Sequence, residues 1–90
     1  MMRKIVYERQ FKKEFKRLQQ TGRSLARFRE AIQYLQDGTV LPEHYRDHPL
    51  SGNWNGFMEC HLGGDFLLIY RIHNDEVMLV RMGSHSQLFG

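Results

Sequence analysis

The apolar pattern of the chain changes period part-way along, and that change restricts the fold most. From Phe57 to Met82 the apolar residues come in three short runs, divided by Gly63-Gly64-Asp65 and by Asn74-Asp75. Runs of that length separated by turn residues predict strands joined by tight hairpins. Phe57 to Leu62 alternates, with Met58, Cys60 and Leu62 on one face and Phe57, Glu59 and His61 on the other. Phe66 to His73 is almost wholly apolar at its start and reads as a central strand. Val77 to Met82 is the third strand, with Val77, Leu79 and Arg81 on one face. Gly83 and Ser84 break it, and His85 to Gly90 follow as a tail. A small sheet of this kind must bury one face against something else.

The first half supplies the cover. Ile5-Val6-Tyr7 is a short β-prone run. Phe11, Phe15 and Leu18 then recur at i, i+4 and i+7, one stripe of an amphipathic helix with Lys12, Lys13, Lys16 and Arg17 outside it. Gly22 is a helix stop and Ser24 a candidate N-cap. Leu25, Phe28, Ile32 and Leu35 repeat the helical spacing until Asp37-Gly38. Two helices joined by three or four residues form an antiparallel hairpin. The expected order is β-α-α-β-β-β, an α+β fold with a helical hairpin on one face of a small, mainly antiparallel sheet. Between the halves, residues 39–55 form a long irregular segment carrying Pro42, His44, His48, Pro49 and Trp54. Unstructured segments of that length are uncommon and tend to be functional.

Composition fits one such domain over residues 1–90. A 41% hydrophobic share with 12% aromatics is enough for one small core and excludes a disordered tail. The longest apolar runs, such as Phe66-Leu67-Leu68-Ile69, are about four residues, so no membrane span is expected. Nothing at the N-terminus has the apolar length of a signal peptide. The single cysteine, Cys60, fits a reducing, cytoplasmic setting. It shares a face with Met58 and Leu62, which makes it a core residue and not a nucleophile.

The formal charge of +3 hides an asymmetry. Residues 1–36 hold ten basic groups against three acids, and residues 37–90 hold three against seven. A basic half suits a polyanionic partner, nucleic acid being the simplest, or an acidic protein. A solvated helix face has the same composition, so the charge alone leaves both readings open.

The polar residues of the second half suggest a reaction. His61 and Asp65 flank one hairpin end, and the third strand runs parallel to the first and returns Arg81 to that end. His85 follows four residues later. This topology predicts a cluster of His61, Asp65, Arg81 and His85 at one sheet edge, with His48 in the preceding loop. RNA is cut when its own 2′-hydroxyl attacks the adjacent phosphate. That step needs a base, an acid for the 5′-oxygen and a cation on the phosphate. Histidine titrates near neutral pH and serves as either acid or base. Arginine presents a charged fork that matches phosphate oxygens. No metal or cofactor is required. His44 and His48 have the spacing of a zinc pair, but no second pair accompanies them, so no metal site is expected. Each histidine taken singly is also consistent with an ordinary exposed residue, and His73 reads as part of a turn. Trp54 could stack on a base or pack over a core edge.

Four stretches carry a resemblance: Arg46-Asp47-His48-Pro49-Leu50-Ser51-Gly52-Asn53-Trp54-Asn55-Gly56, Glu59-Cys60-His61-Leu62 through Asp65, Leu68-Ile69-Tyr70, and Arg81-Met82-Gly83-Ser84-His85-Ser86-Gln87-Leu88-Phe89-Gly90. Together they resemble the YafQ-type mRNA-interferase toxins of the RelE/ParE superfamily, which belong to type II toxin–antitoxin systems. The likeness is motif-specific over residues 46–90 and only one of pattern before them. It implies a RelE-like fold and a ribosome-dependent, metal-independent endoribonuclease that cuts mRNA in the decoding site and so inhibits translation. It also implies a tightly bound, DinJ-like antitoxin. Carried onto this sequence, the family's functional positions are His48, His61, Asp65, Arg81, His85 and Phe89. His85 would donate the proton to the leaving group and Arg81 would hold the phosphate. His48, His61 and Asp65 would act as base or positioning groups, and Phe89 would orient the substrate base. Phe66 departs from the family pattern, which has Trp after the aspartate: stacking survives, but the indole N–H donor is lost. Lys12, Lys13, Lys16 and Arg17 would then grip ribosomal RNA phosphates.

Two other readings compete. ParE-like relatives share the fold and poison DNA gyrase by binding, without nuclease chemistry, but such a binder has no need of His48, His61 and His85 together. A non-catalytic nucleic-acid-binding module would explain the charge and leave Arg81 and His85 unexplained.

Overall fold

A computed structural model describes residues 2–90. Strand β1 (Lys4–Tyr7) leads into helix α1 (Arg9–Gln20) and helix α2 (Ala26–Asp37). A two-residue strand, β2 (His48–Pro49), precedes β3 (Met58–Gly63), β4 (Phe66–His73) and β5 (Glu76–Ser84), and a short helix, α3 (His85–Phe89), ends the chain. The strand order in the sheet is β1-β5-β4-β3-β2. Among the described residues, only the β1–β5 pairing is parallel. Among the described residues, no helix is long and apolar enough to cross a membrane.

The helical hairpin covers one sheet face. Phe11, Leu18, Phe28, Ala31 and Leu35 from the helices are buried against Cys60, Leu62, Leu68, Tyr70, Val77, Leu79 and Met82 from the strands. Each large apolar side chain removed from water contributes about 2–3 kcal/mol. This helix-side core is therefore what holds the two layers together. The helices start and stop near the expected residues. Gly22 and Gly38 adopt the left-handed conformation just past α1 and α2 (φ 75° and 74°). Ser24 is not the N-cap: Leu25 holds that position, while the Ser24 hydroxyl accepts the Ala26 N–H at 3.3 Å. The connection is residues 21–25, slightly longer than expected. Asn74 and Asp75 both take positive φ (50° and 63°), the geometry that a tight hairpin between twisted strands needs.

Three further expectations are corrected. First, the alternation of β5 is broken by an irregularity where Ile69 pairs with Arg81 but Tyr70 pairs with Leu79. The extra residue moves Arg81 off the row of Val77 and Leu79, and Met82 takes the core position instead. Second, Gly83 and Ser84 do not break the strand. Ser84 is its last residue and also the N-cap of α3. Its hydroxyl accepts the Gln87 N–H at 3.2 Å, and the Gln87 side chain accepts the Ser84 N–H at 2.8 Å. Third, residues 39–55 are anchored rather than irregular. Tyr45 is fully buried, its hydroxyl donating to Glu30 Oε1 at 2.7 Å. The Tyr70 hydroxyl donates to Asp47 Oδ1 at 2.6 Å. These two phenols fix the segment just ahead of His48.

Candidate active site

The sheet face away from α1 and α2 carries a second, smaller apolar cluster. Leu67, Ile69 and Leu88 are buried there, with Leu50, Trp54, Phe57, Val80 and Phe89 packed around them. Strand parity brings Glu59 and His61 to this face, opposite Ile69 and Leu67 on β4. His48 pairs directly with Glu59 across β2 and β3. The result is a compact group of three. Glu59 Oε1 lies 3.3 Å from His48 Nε2 and 3.6 Å from His61 Nε2. The Glu59 side chain is only 7% exposed, whereas His48 and His61 are 44% and 28% exposed. A buried carboxylate thus supports two rings that meet solvent. His48 Nδ1 lies 2.7 Å from the Arg46 carbonyl. A carbonyl only accepts, so Nδ1 carries the proton and Nε2 is the atom turned to Glu59. Arg46 itself adopts φ 48°, uncommon for a non-glycine residue.

At the other end of this face lies α3. His85 is exposed on its first turn, with its ring centroid 5.1 Å from that of Phe89. Phe89 meets Trp54 edge-on at 6.1 Å, and Trp54 meets Phe57 at 5.3 Å. Trp54 therefore packs over a core edge and buttresses Phe89. The His85 backbone N–H donates to the Asp65 carbonyl at 3.2 Å, which ties α3 to the β3–β4 turn. The row His61–Leu67–Gly83 crosses three strands, so His61 stands two strand spacings, roughly 10 Å, from Gly83, two residues before α3.

The single edge cluster expected from topology is thus divided. His61 joins His48, which had been placed only loosely in the preceding loop, while Asp65 meets His85 through the backbone. Arg81 turns toward α1. Its Nε and Nη2 donate to the Glu14 carboxylate at 2.8–3.1 Å, and the Met82 N–H donates to Glu14 Oε1 at 3.0 Å. Glu14 thereby closes the edge of β5 beyond the end of β1. Arg81, Asp65 and Phe66 line a groove of about 530 Å³ shared with Arg17 and Arg23. One face of the Phe66 ring is taken by the Arg23 guanidinium, 4.3 Å from its centroid. Lys12, Lys13, Lys16 and Arg17 are all exposed on the outer side of α1. None of the four is in an ion pair among the described residues.

Sequence reasoning missed Glu59 and Glu14. Glu59-x-His61 on an alternating strand was the available signal for the first, since parity puts both on one face. Glu14 gave none, because its partner lies 67 residues away. His44 is no partner for His48. It lies 4.0 Å from Glu30 and against the Tyr45 ring.

Comparison with known proteins now bears on this geometry. Residues 3–90 match the family model for YafQ, the bacterial toxin of type II toxin–antitoxin systems. The chain belongs to that family. The mRNA interferase toxin YafQ of Escherichia coli K12 is 33% identical over all of this chain and 99% of its own length. A copper-bound mutant toxin from Helicobacter pylori superposes with TM-score 0.93 at 38% identity, covering 98% of this chain and 100% of that one. The E. coli YafQ structure solved with DinJ as a toxin–antitoxin complex gives TM-score 0.90 at 32% identity, with both chains covered in full. The expected fold is thereby shown, and so is the class: a bacterial toxin among the mRNA interferases, which are endoribonucleases. In this YafQ-family chain the group on β2 and β3 and the residues of α3 lie on one sheet face, left free by the helical hairpin.

Proposed function

We propose that this toxin cuts mRNA on the ribosome by attack of the substrate's own 2′-hydroxyl. The observation that carries the reading is the shared face: the His48–Glu59–His61 group at one end, exposed His85 beside Phe89 at the other. The span between them suits a bent phosphodiester with its reacting oxygens on opposite sides. The group around Glu59 receives the 2′-hydroxyl proton as the 2′-oxygen bonds to phosphorus. The bond from phosphorus to the 5′-oxygen breaks, and the His85 imidazolium gives that oxygen its proton. A cyclic phosphate and a free 5′-hydroxyl result, and no metal enters the reaction.

Arg81 holds the phosphate. Glu14 binds its Nε and Nη2, which leaves Nη1 for a phosphoryl oxygen that gains charge in the transition state. Asp65 sets the position of α3 through its carbonyl. Phe89, braced by Trp54, offers a ring on which a base stacks, and the free face of Phe66 does the same in the groove. The exposed cations of α1 grip ribosomal RNA. A DinJ-like antitoxin neutralises the toxin by covering the same basic surface. The ribosome as the place of action puts the protein in the cytoplasm.

Translation of a reporter mRNA in a purified bacterial system tests this. The 5′ ends are mapped by primer extension with the natural chain, His85→Ala and Glu59→Gln, and with naked mRNA as control. Ribosome-dependent cuts that fall by about 10²–10⁴-fold in His85→Ala are expected. Equal cutting of naked mRNA would remove the ribosome from the account. Unimpaired translation with no cuts would end the nuclease reading.

A further inference from the structure

We propose that Arg71 is a second phosphate site, which holds the mRNA phosphate on the 5′ side of the nucleotide whose 2′-hydroxyl attacks and so fixes the direction in which the strand crosses the sheet. This site rests on the nuclease reading above and extends it along the substrate. Cross-strand rows follow one another down the free face from α3: His61–Leu67–Gly83, then Glu59–Ile69–Arg81, then Arg71–Met78. Arg71 has the parity of Leu67 and Ile69, so it leaves the sheet on the side of His61 and Glu59. Its guanidinium stands 5.4 Å from the centroid of Phe57, a ring of the free-face cluster. One strand spacing and two residues separate Arg71 from Glu59, roughly 8 Å between backbones. That separation is close to the reach of one nucleotide.

Three features fit a phosphate there. Arg71 is exposed and forms no ion pair among the described residues. Glu76 on β5 stands opposite His73, farther from α3, and Glu59 is already shared by two imidazoles. Stacking on Phe57 occupies the flat of the guanidinium and leaves its N–H edge for phosphate oxygens. Finally, Phe89, Trp54 and Phe57 meet edge-on in series, at 6.1 and 5.3 Å, so a line of rings runs from α3 to Arg71. Aromatic rings beside cations are the surface on which single strands lie.

The chemistry gives the direction. The attacking 2′-hydroxyl belongs to the nucleotide on the 5′ side of the cut, and the leaving 5′-oxygen to the nucleotide on its 3′ side. The group around Glu59 therefore faces the 5′ side, and His85 the 3′ side. Seen from α3, Arg71 lies beyond the Glu59 group. It meets the next phosphate in the 5′ direction, so the strand runs from Phe57 toward α3.

Ribosomes programmed with a short mRNA test this. The cut is mapped on the all-ribose message. The binding message carries a 2′-deoxynucleotide just before the cut, which removes the attacking hydroxyl, and a single neutral methylphosphonate replaces each nearby phosphate in turn. Affinities are compared for the natural chain, Arg71→Gln and Arg71→Lys, each checked for fold by circular dichroism. Arg71→Gln should bind about 10-fold more weakly, and Arg71→Lys should recover most of that loss. The natural chain should lose about the same factor when the phosphate 5′ of the deoxynucleotide is neutral, and Arg71→Gln should lose nothing more there. At saturating toxin, Arg71→Gln should cut the all-ribose message as fast as the natural chain. Undiminished affinity in Arg71→Gln, or an equal deficit on ribosomes without mRNA, overturns the site. Coupling to a phosphate on the 3′ side of the cut overturns the direction. Should Arg71→Gln unfold, the methylphosphonate series on the natural chain decides, since a loss spread evenly over all positions overturns the site. A natural chain that never cuts ends the nuclease reading and this site with it. A natural chain that cuts while Arg71→Gln binds equally well ends this site alone.

Discussion

Cys60 stands between Glu59 and His61 in sequence, a place where a thiol beside a histidine invites a nucleophilic role. Strand parity decides otherwise. The side chain points to the helix-side core and is fully buried. Burial pushes its thiol well above the usual cysteine range, with smaller contributions from the nearby Asp47 and Glu59 charges. Cys60 should therefore resist a thiol-alkylating reagent in the native protein and react fully once urea unfolds it, and rapid native labelling would show the parity assignment wrong. This residue was legible in the sequence because period-2 alternation fixes a face without any knowledge of partners. Tyr70 was not. Its apolar strand marked it as core, but the bond to Asp47 depends on a loop whose path has no local code. Burial first, and then that bond, raise the Tyr70 hydroxyl above the ordinary phenol range. The sign follows from linkage. A group that holds its proton more tightly when folded contributes fully below the unfolded value near pH ~10, and the contribution is lost as pH rises above it. Tyr70→Phe should cost about 1–3 kcal/mol at neutral pH, because Asp47 loses its donor. Urea denaturation at pH ~7 and ~10.5 should also show a flatter alkaline decline for the variant.

At the scale of elements, the C-terminal end of β5 depends on two small polar devices. The α3 start is a Ser84–Gln87 capping box. Its S-x-x-Q spelling was present in the sequence, but the preceding Gly83-Ser84 pair reads more readily as a strand breaker. The structure shows why glycine is there: a Cβ at Gly83 would stand 2.8 Å from the Gln87 Oε1 that completes the box. Ser84→Ala should cost about 1 kcal/mol of stability. The cost to ribosome-dependent cleavage should be disproportionately larger, because α3 carries both His85 and Phe89. Equal losses in urea midpoint and in rate would show that α3 is merely structural. Glu14 plays the matching part on β5. It satisfies the Met82 N–H and the Arg81 guanidinium together, and its side chain is 10% exposed. Glu14→Ala leaves both donors without their partner and should destabilise by about 2–3 kcal/mol. Arg81→Leu alongside it should restore part of that loss, a coupling that a double-mutant cycle measures. The break in alternation next to Arg81 had no signature in the sequence, since a bulge is set by cross-strand pairing and not by residue type.

Over the whole molecule, charge and shape are arranged on different sides. The histidine group and α3 occupy the face left free by the helices, while the cations of α1 face outward from the opposite layer. The charge asymmetry was plain in composition, but its separation from the chemistry required the fold. The two surfaces divide the work of a ribosome-bound nuclease: one engages long-range phosphate charge, the other a single phosphodiester. Reversing Lys12, Lys13, Lys16 and Arg17 to glutamate should therefore weaken ribosome binding steeply at low salt and flatten its salt dependence. Each lost phosphate contact removes roughly one unit from the logarithmic slope. Ribosome sedimentation across a salt series checks this. A salt slope unchanged by four charge reversals would mean that the basic layer serves the antitoxin alone and that the ribosome grips this protein by its catalytic face.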